Sequence, residues 1–282
     1  MSQLLQTFHK VFLAFFSFFL YVVFSSEICA SNNGKTPITM MKHLLLPAFI
    51  VSVSFMFISF AKANNSAIKK INTSASTDSA LVVHEVSQGE QLFNSLHLQD
   101  AGLSKETVEY AIKGYQRLVD SGLVNNPQYL TIVDLSQSSR NKRFYILDME
   151  NNELTWNTFV AHGRNSGIDM ARSFSNNLNS NKSSLGFYVT KSTYRGKHGL
   201  SLKISGLEEG FNNNAEARGV VVHGASYVNS GRVNSEYMGR SQGCPALPEN
   251  EYAKVIDIIK DGSVLFVYNP DSNYLQSSAL LN

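Results

Sequence analysis

Cysteine is nearly absent from this sequence, and so is any imbalance of charge. Only 2 of the 282 residues are cysteine, and 24 Lys and Arg face 22 Asp and Glu, a formal net charge of +2. A balance that even supplies no field for a polyanion. The basic residues are also scattered apart from Lys69-Lys70, so no nucleic-acid partner is expected. Missing too are a Gly-rich phosphate loop and any His, Cys or carboxylate spacing suited to zinc. Neither a metal nor an organic cofactor is therefore expected. No internal repeat is present. What remains is a chain with 43% hydrophobic residues, long enough for one large domain or two small ones around a real core.

Two apolar runs lie near the start, at 11–24 and 44–61. The first is shorter than the roughly 20 residues a spanning helix prefers. The second follows Met40-Met41-Lys42-His43 and ends in Ala61-Lys62-Ala63, the layout of a secretory signal peptide. On this reading residues 1–40 are an upstream extension and 41–63 the signal peptide. Residues 64–80, rich in Ser, Asn and Thr without periodicity, form a linker. The competing reading is a membrane anchor in the first run with a second span after it, and with it an association with the inner membrane. Both place the bulk of the chain outside the cytoplasm, in the periplasm or cell envelope. Cleavage after Ala63 would remove Cys29, whose context lacks the Leu and small residues of lipid attachment, and leave Cys244 alone. A single thiol in an exported protein suggests intermolecular pairing or a reactive group; the alternative is a buried thiol serving as a small hydrophobe.

Residues 81–124 are predicted to be helical. Val108, Ala111, Ile112, Tyr115 and Val119 mark one helix face, with Ser104 as cap and Gly122 as stop. From 125 to 282 the texture is β. Runs at 129–135, 143–149, 154–162, 186–190, 200–204 and 219–222 predict strands, 248–260 a short helix, and 264–268 a last strand. Many short strands and few helices predict a mainly β barrel or sandwich with a small N-terminal helical segment. The polar stretch 163–184 is long for a loop, and such loops are either functional or disordered.

Chemistry concentrates between Arg218 and Pro248. Val220-Val221-Val222 reads as a buried strand, and His223-Gly224 follow at its end, where a side chain is held rigidly yet within reach of solvent. Seventeen residues later come Ser241-Gln242-Gly243-Cys244, then Pro245. A thiol of ordinary pKa is only a few per cent thiolate at neutral pH, so it needs a base or a positive neighbour. His223 is the candidate base for Cys244. Gly243 permits close backbone approach, and the N–H groups around Gly243 and Cys244 are candidate oxyanion donors. Ser241 either bonds the imidazole or shapes the turn.

The order His-Gly, a gap, then Ser-x-Gly-Cys resembles the L,D-transpeptidase (YkuD-like) family. Gly239 to Leu247 is similar to its murein L,D-transpeptidase catalytic domain branch. The resemblance extends through Val160-Ala161-His162-Gly163-Arg164, the run Leu185 to Thr190, and Gly196-Lys197-His198-Gly199, about residues 125–270. It implies a mainly β cysteine enzyme acting on peptidoglycan stem peptides without a cofactor. Cys244 would form a thioester, D-alanine would leave, and an amine of a second stem would take the acyl group in a 3→3 cross-link. It implies further that carbapenem-like β-lactams acylate Cys244. Gln242 departs from the family's second His, and Pro245-Ala246 from its Arg-containing continuation. Arg240 becomes the candidate grip for a substrate carboxylate, against a solvated surface role. Gly224, His162, His198, Tyr188 and Tyr227 are candidates to line the cleft, with structural roles or packing as the alternative. Hydrolysis of the same thioester, giving an L,D-carboxypeptidase, and a non-catalytic peptidoglycan-binding module remain as rival readings. Sortases carry Thr-x-x-Thr-Cys, and papain-like endopeptidases place Cys before His; both differ from this order.

Overall fold

The computed structural model describes residues 86–197 and 199–282. The expected signal peptide, linker and membrane anchor, Cys29 and His198 lie outside them. Among the described residues no helix is long and apolar enough to cross a membrane.

The described chain opens with helix α1 (Gln88–Ser95), a 3-10 turn at Leu98–Ala101 and helix α2 (Lys105–Asp120). Ser104 caps α2 by accepting from the Thr107 N–H at 3.2 Å, which satisfies one of the donors a helix start leaves open. Val108, Ala111, Ile112, Tyr115 and Leu118 turn inward together. Gly114 is required by packing. A Cβ there would lie 2.0 Å from Phe187 Cζ, so the helix rests directly on the sheet.

Ten strands follow: β1 (Tyr129–Asp134), β2 (Phe144–Asp148), β3 (Glu153–Thr158), β4 (His162–Gly163), β5 (Gly186–Gly196), β6 (Gly199–Gly206), β7 (Val221–Ala225), β8 (Arg240–Ser241), β9 (Ala246–Pro248) and β10 (Val264–Tyr268). Helix α3 (Tyr252–Ile259) separates β9 from β10, and α4 (Ser272–Ser277) ends the chain. Eight strands form one mixed sheet in the order β3-β2-β1-β10-β5-β6-β7-β9, and β4 pairs with β8 in parallel. The fold is mainly β. Ala161, three residues beyond edge strand β3, bridges to Ala246 in the opposite edge strand β9, with its N–H on the Ala246 carbonyl at 2.9 Å. That bridge nearly closes the sheet and so covers edges that would otherwise be open to pairing.

Strands β2 and β10 are buried at every position, as expected where both faces of a sheet are covered. Phe187 stacks on Phe266 with ring centroids 4.1 Å apart, and the inner faces of α1 and α2 join the same hydrophobic cluster. Beneath α4, the buried carboxylate of Glu208 accepts from the Phe187 N–H at 2.7 Å, the Tyr274 hydroxyl at 3.0 Å and the Ser278 hydroxyl. Burial raises its pKa, and these three donors pull the other way. One strand leaves the core. Residues 186–190 of β5 are buried and 191–196 exposed, so its outer half and the start of β6 form a two-stranded arm.

Candidate active site

His223 stands in the middle of β7 rather than beyond its end, because the strand runs three residues past Val222. The side chain is 3% exposed. In the sheet His223 is paired with Ser201 on one side and Ala246 on the other, and its N–H donates to the Pro245 carbonyl at 3.4 Å. The parallel register of β7 and β9 therefore draws Cys244, two residues before Ala246, back to the histidine strand. The intervening loop is anchored by Met238, fully buried, whose N–H donates to Ser139 Oγ at 3.0 Å.

The imidazole has a defined tautomer. Nδ1 lies 2.9 Å from the Gly224 carbonyl. A carbonyl can only accept, so Nδ1 carries the proton and Nε2 the basic lone pair. The next residue's backbone thus helps to orient the ring, a contact that side-chain motifs do not encode. Gly224 has a second, steric function: a Cβ there would come 2.6 Å from the Tyr252 ring. It packs against α3.

Ser241 shapes the thiol turn. Its Oγ accepts from the Gly243 N–H at 3.0 Å and donates to the Cys244 carbonyl at 2.7 Å. The Gly243 N–H, expected to serve as an oxyanion donor, is therefore committed to Ser241. Gly243 has φ +126°, and a Cβ would lie 2.8 Å from the Lys182 carbonyl and 3.2 Å from an Arg218 Nη, so only glycine fits. Cys244 is a free thiol, partly exposed, whose Sγ lies 3.8 Å from the Gly219 carbonyl. Burial pushes the thiol above its ordinary pKa. The Val221 N–H and the charges of Arg218 and Lys197 offset part of that rise. The resting group is a thiol, and a base must take its proton before it can attack.

Arg218 was not singled out in the sequence, where it is one scattered cation before an apolar run. Here its guanidinium holds the 163–184 segment beside Gly243. Nη1 donates to the Ser175 carbonyl at 2.8 Å and to Ser184 Oγ, while Nη2 donates to Ser180 Oγ at 3.1 Å and the Lys182 carbonyl at 2.6 Å. Ser183 adds a second tie, with its Oγ accepting from the Gly163 N–H at 3.0 Å and donating to the Gly243 carbonyl at 3.4 Å. The long loop is thereby fastened to the thiol turn.

Three expected cleft residues have polar partners of their own. His162 is 1% exposed. Its Nδ1 accepts from Arg143 Nη2 at 2.7 Å, which leaves Nε2–H to face the Gly167 carbonyl at 3.3 Å. Burial and then Arg143 depress its pKa to about 4, so it is a neutral core histidine. Arg143 is itself fully buried and brought down to about 10 by desolvation. Its remaining N–H groups bond the Gln137 and Val160 carbonyls. Tyr188 is 1% exposed, and its hydroxyl donates to the Ser184 carbonyl at 3.0 Å, so its ring offers nothing to solvent. Arg240 is engaged by the loop that follows β4. Nη1 donates to the Arg164 carbonyl at 3.1 Å, and the guanidinium lies 4.7 Å over the Tyr237 ring. Tyr227 is half-buried; burial, then proximity to a charged Cys244, raises it to about 12. Among the described residues no group of His, Cys, Asp and Glu could hold a metal ion.

Residues 99–268 match a family model described as the L,D-transpeptidase catalytic domain. No curated protein is significantly similar in sequence. Among solved structures, the chain is similar to an L,D-transpeptidase from Mycobacterium smegmatis, with 14% identity and TM-score 0.32 over 50% of this chain and 59% of that one. It is also similar to L,D-transpeptidase 3 from Mycobacterium tuberculosis, with 12% identity and TM-score 0.31 over 50% and 61%. A third, an L,D-transpeptidase from Stackebrandtia nassauensis, gives 14% and 0.29 over 64% and 75%. The chain spans about three-fifths of the length of the first two.

Proposed function

Because the chain belongs to the L,D-transpeptidase catalytic-domain family, we propose that Cys244 and His223 form 3→3 cross-links between peptidoglycan stem peptides through a thioester. His223 Nε2 takes the Cys244 proton as sulfur attacks the carbonyl joining the third, diamino-acid residue to D-alanine. The C–N bond then breaks, His223 returns the proton to the departing D-alanine amine, and the acyl group stays on sulfur. An amine from the side chain of a second stem attacks the thioester, gives its proton to His223, and releases the thiol. One observation carries this reading. The Nδ1–H bond to the Gly224 carbonyl leaves Nε2 basic on the strand that pairs with the exit of the thiol turn.

Arg218 is proposed as a positioning residue that keeps the loop 163–184 against the turn, and Ser241 as the residue that sets the turn itself. We further propose that the protein works outside the cytoplasm, in the periplasm or cell envelope. The supporting feature is the sequence around residues 41–63.

Mass spectrometry of tetrapeptide muropeptides incubated with the protein, beside Cys244→Ala, tests the proposal. A cross-linked dimer lacking one D-alanine is expected. Tripeptide alone would make the enzyme an L,D-carboxypeptidase, with water as acceptor. No Cys244-dependent change would leave a peptidoglycan-binding module on the same fold.

A further inference from the structure

The net charge of +2 conceals a local imbalance. Residues 186–207 contain Lys191, Arg195, Lys197 and Lys203 and no Asp or Glu. All four cations are exposed, on the arm formed by β5 and β6. Lys191 lies at the base, where its carbonyl accepts from the Asp261 N–H; Lys203 is level with it on β6 but reaches over Tyr194, so with Arg195 and Lys197 it makes up the arm's outward charge. Among the described residues none of these three has an ion-pair partner. Lys203 lies 5.7 Å over the Tyr194 ring, which is itself 40% exposed.

The sheet register fixes where this charge sits. Tyr194, Ser201, His223 and Ala246 are successive partners across four strands. Tyr194 is thus two strand spacings, about 10 Å, from the histidine backbone. The turn of the arm is held at the same place, since a Cβ on Gly199 would lie 3.2 Å from the Tyr252 hydroxyl and the ring of Tyr252 packs on Gly224. Arg218 and Arg240 are already engaged by loop carbonyls, whereas Arg195, Lys197 and Lys203 form no ion pair among the described residues.

We propose that the β5–β6 arm is the recognition surface for the carboxylates of the acyl-donor peptide, with Arg195, Lys197 and Lys203 as its contacts. This deepens the transpeptidase reading and rests on it for the identity of the donor. A stem ending in D-alanine carries at least its C-terminal carboxylate. The expected Arg after the thiol is absent here, Pro245-Ala246 standing in its place. Lys197 also acts on Cys244 directly, as one of the cations that lower its thiol pKa against burial. A cluster of uncompensated charge near a partly buried site raises the local concentration of anions and steers them in, an effect that salt screens.

The test compares the full-length protein with an Arg195→Gln/Lys197→Gln/Lys203→Gln variant and with a Lys113→Gln/Lys142→Gln control on α2 and the β1–β2 connection. Cys244 is alkylated with iodoacetate and with iodoacetamide at low salt. The rate ratio of anionic to neutral reagent should fall roughly three- to tenfold in the arm variant and stay unchanged in the control. High salt should abolish the difference. This readout needs no turnover, so it survives a failure of the proposed reaction. In a Cys244→Ala background, the arm substitutions should weaken binding of the tetrapeptide with free carboxylates and spare its carboxamide analogue. An unchanged alkylation ratio, or equal loss for both peptides, would overturn the proposal. So would a variant that keeps peptide binding and loses only adsorption to phosphatidylglycerol vesicles, which would assign the arm to a lipid surface.

Discussion

Replacing Ser241 by alanine removes one hydroxyl and two hydrogen bonds, the one its Oγ accepts from the Gly243 N–H and the one it donates to the Cys244 carbonyl. Ser241 is 5% exposed, so water cannot readily take over. Each such bond contributes about 1 kcal/mol net, and leaving the Gly243 N–H unpaired adds a desolvation cost of similar size. The loss should total about 2–3 kcal/mol. For a domain of this size, about 2–4 °C of Tm is lost per kcal/mol, so the midpoint should drop roughly 5–10 °C. Scanning calorimetry reads that number. The pH profile of Cys244 alkylation reads the mechanism, because a turn-shaping Ser241 slows labelling at every pH without moving the apparent pKa. Ser241→Thr, which keeps the oxygen, should recover most of both losses. A midpoint that moves by less than about 1 °C, or an apparent pKa that shifts by about a unit, would refute this account. The latter would return Ser241 to the imidazole.

His223→Ala should slow Cys244 alkylation at least about tenfold at neutral pH and little at pH values above the thiol pKa, since burial leaves the unaided group protonated. His162, held neutral with a pKa of about 4, binds its proton more readily once the chain unfolds. Its contribution to stability is complete above about pH 6.5 and is lost as pH falls towards 4, for a total of about 3 kcal/mol. Thermal midpoints of His162→Gln should therefore fall less steeply than wild type across that window; parallel curves would show that His162 does not carry the dependence. Gly114→Ala sets helix propensity, a gain of about 1 kcal/mol, against a Cβ 2.0 Å from the Phe187 ring. Packing should win, with a net loss of about 1–3 kcal/mol by urea unfolding, and a stabilised variant would mean that Phe187 yields easily.

Elements with a regular apolar pattern were legible. The last strand, Val264–Tyr268, lies where its run of apolar residues put it, and α2 begins at its Ser104 cap. The β5 strand was read as ending at residue 190, yet it continues to Gly196. Its outer half is polar on both faces and held by pairing with β6, so no alternation marks it. The two-residue strands β4 and β8 exist only because the chain closes on itself, and α4 is fixed by contacts such as Tyr274 on the distant Glu208. At the candidate site, the sequence pointed to the thiol, the histidine and the glycine before the thiol, and the β7–β9 register brings their two segments together. It did not reveal Arg218, whose importance lies in four acceptors that are 34 to 43 residues away. The neighbours of His162 and Tyr188 resemble a motif, while their own side chains are buried, and burial is not marked in the sequence around them.

The acceptor that holds the His223 tautomer is a peptide carbonyl. Every amino acid brings that atom, so no base change in the coding sequence can delete it. The mutational target of the orienting interaction shrinks to the conformation of one backbone unit, which the fit of Gly224 against Tyr252 protects. On the proposed mechanism, lineages that lose activity should do so through the thiol, the imidazole or the packing beneath residue 224. Direct removal of the acceptor demands chemical synthesis, such as a thioamide placed at that single position.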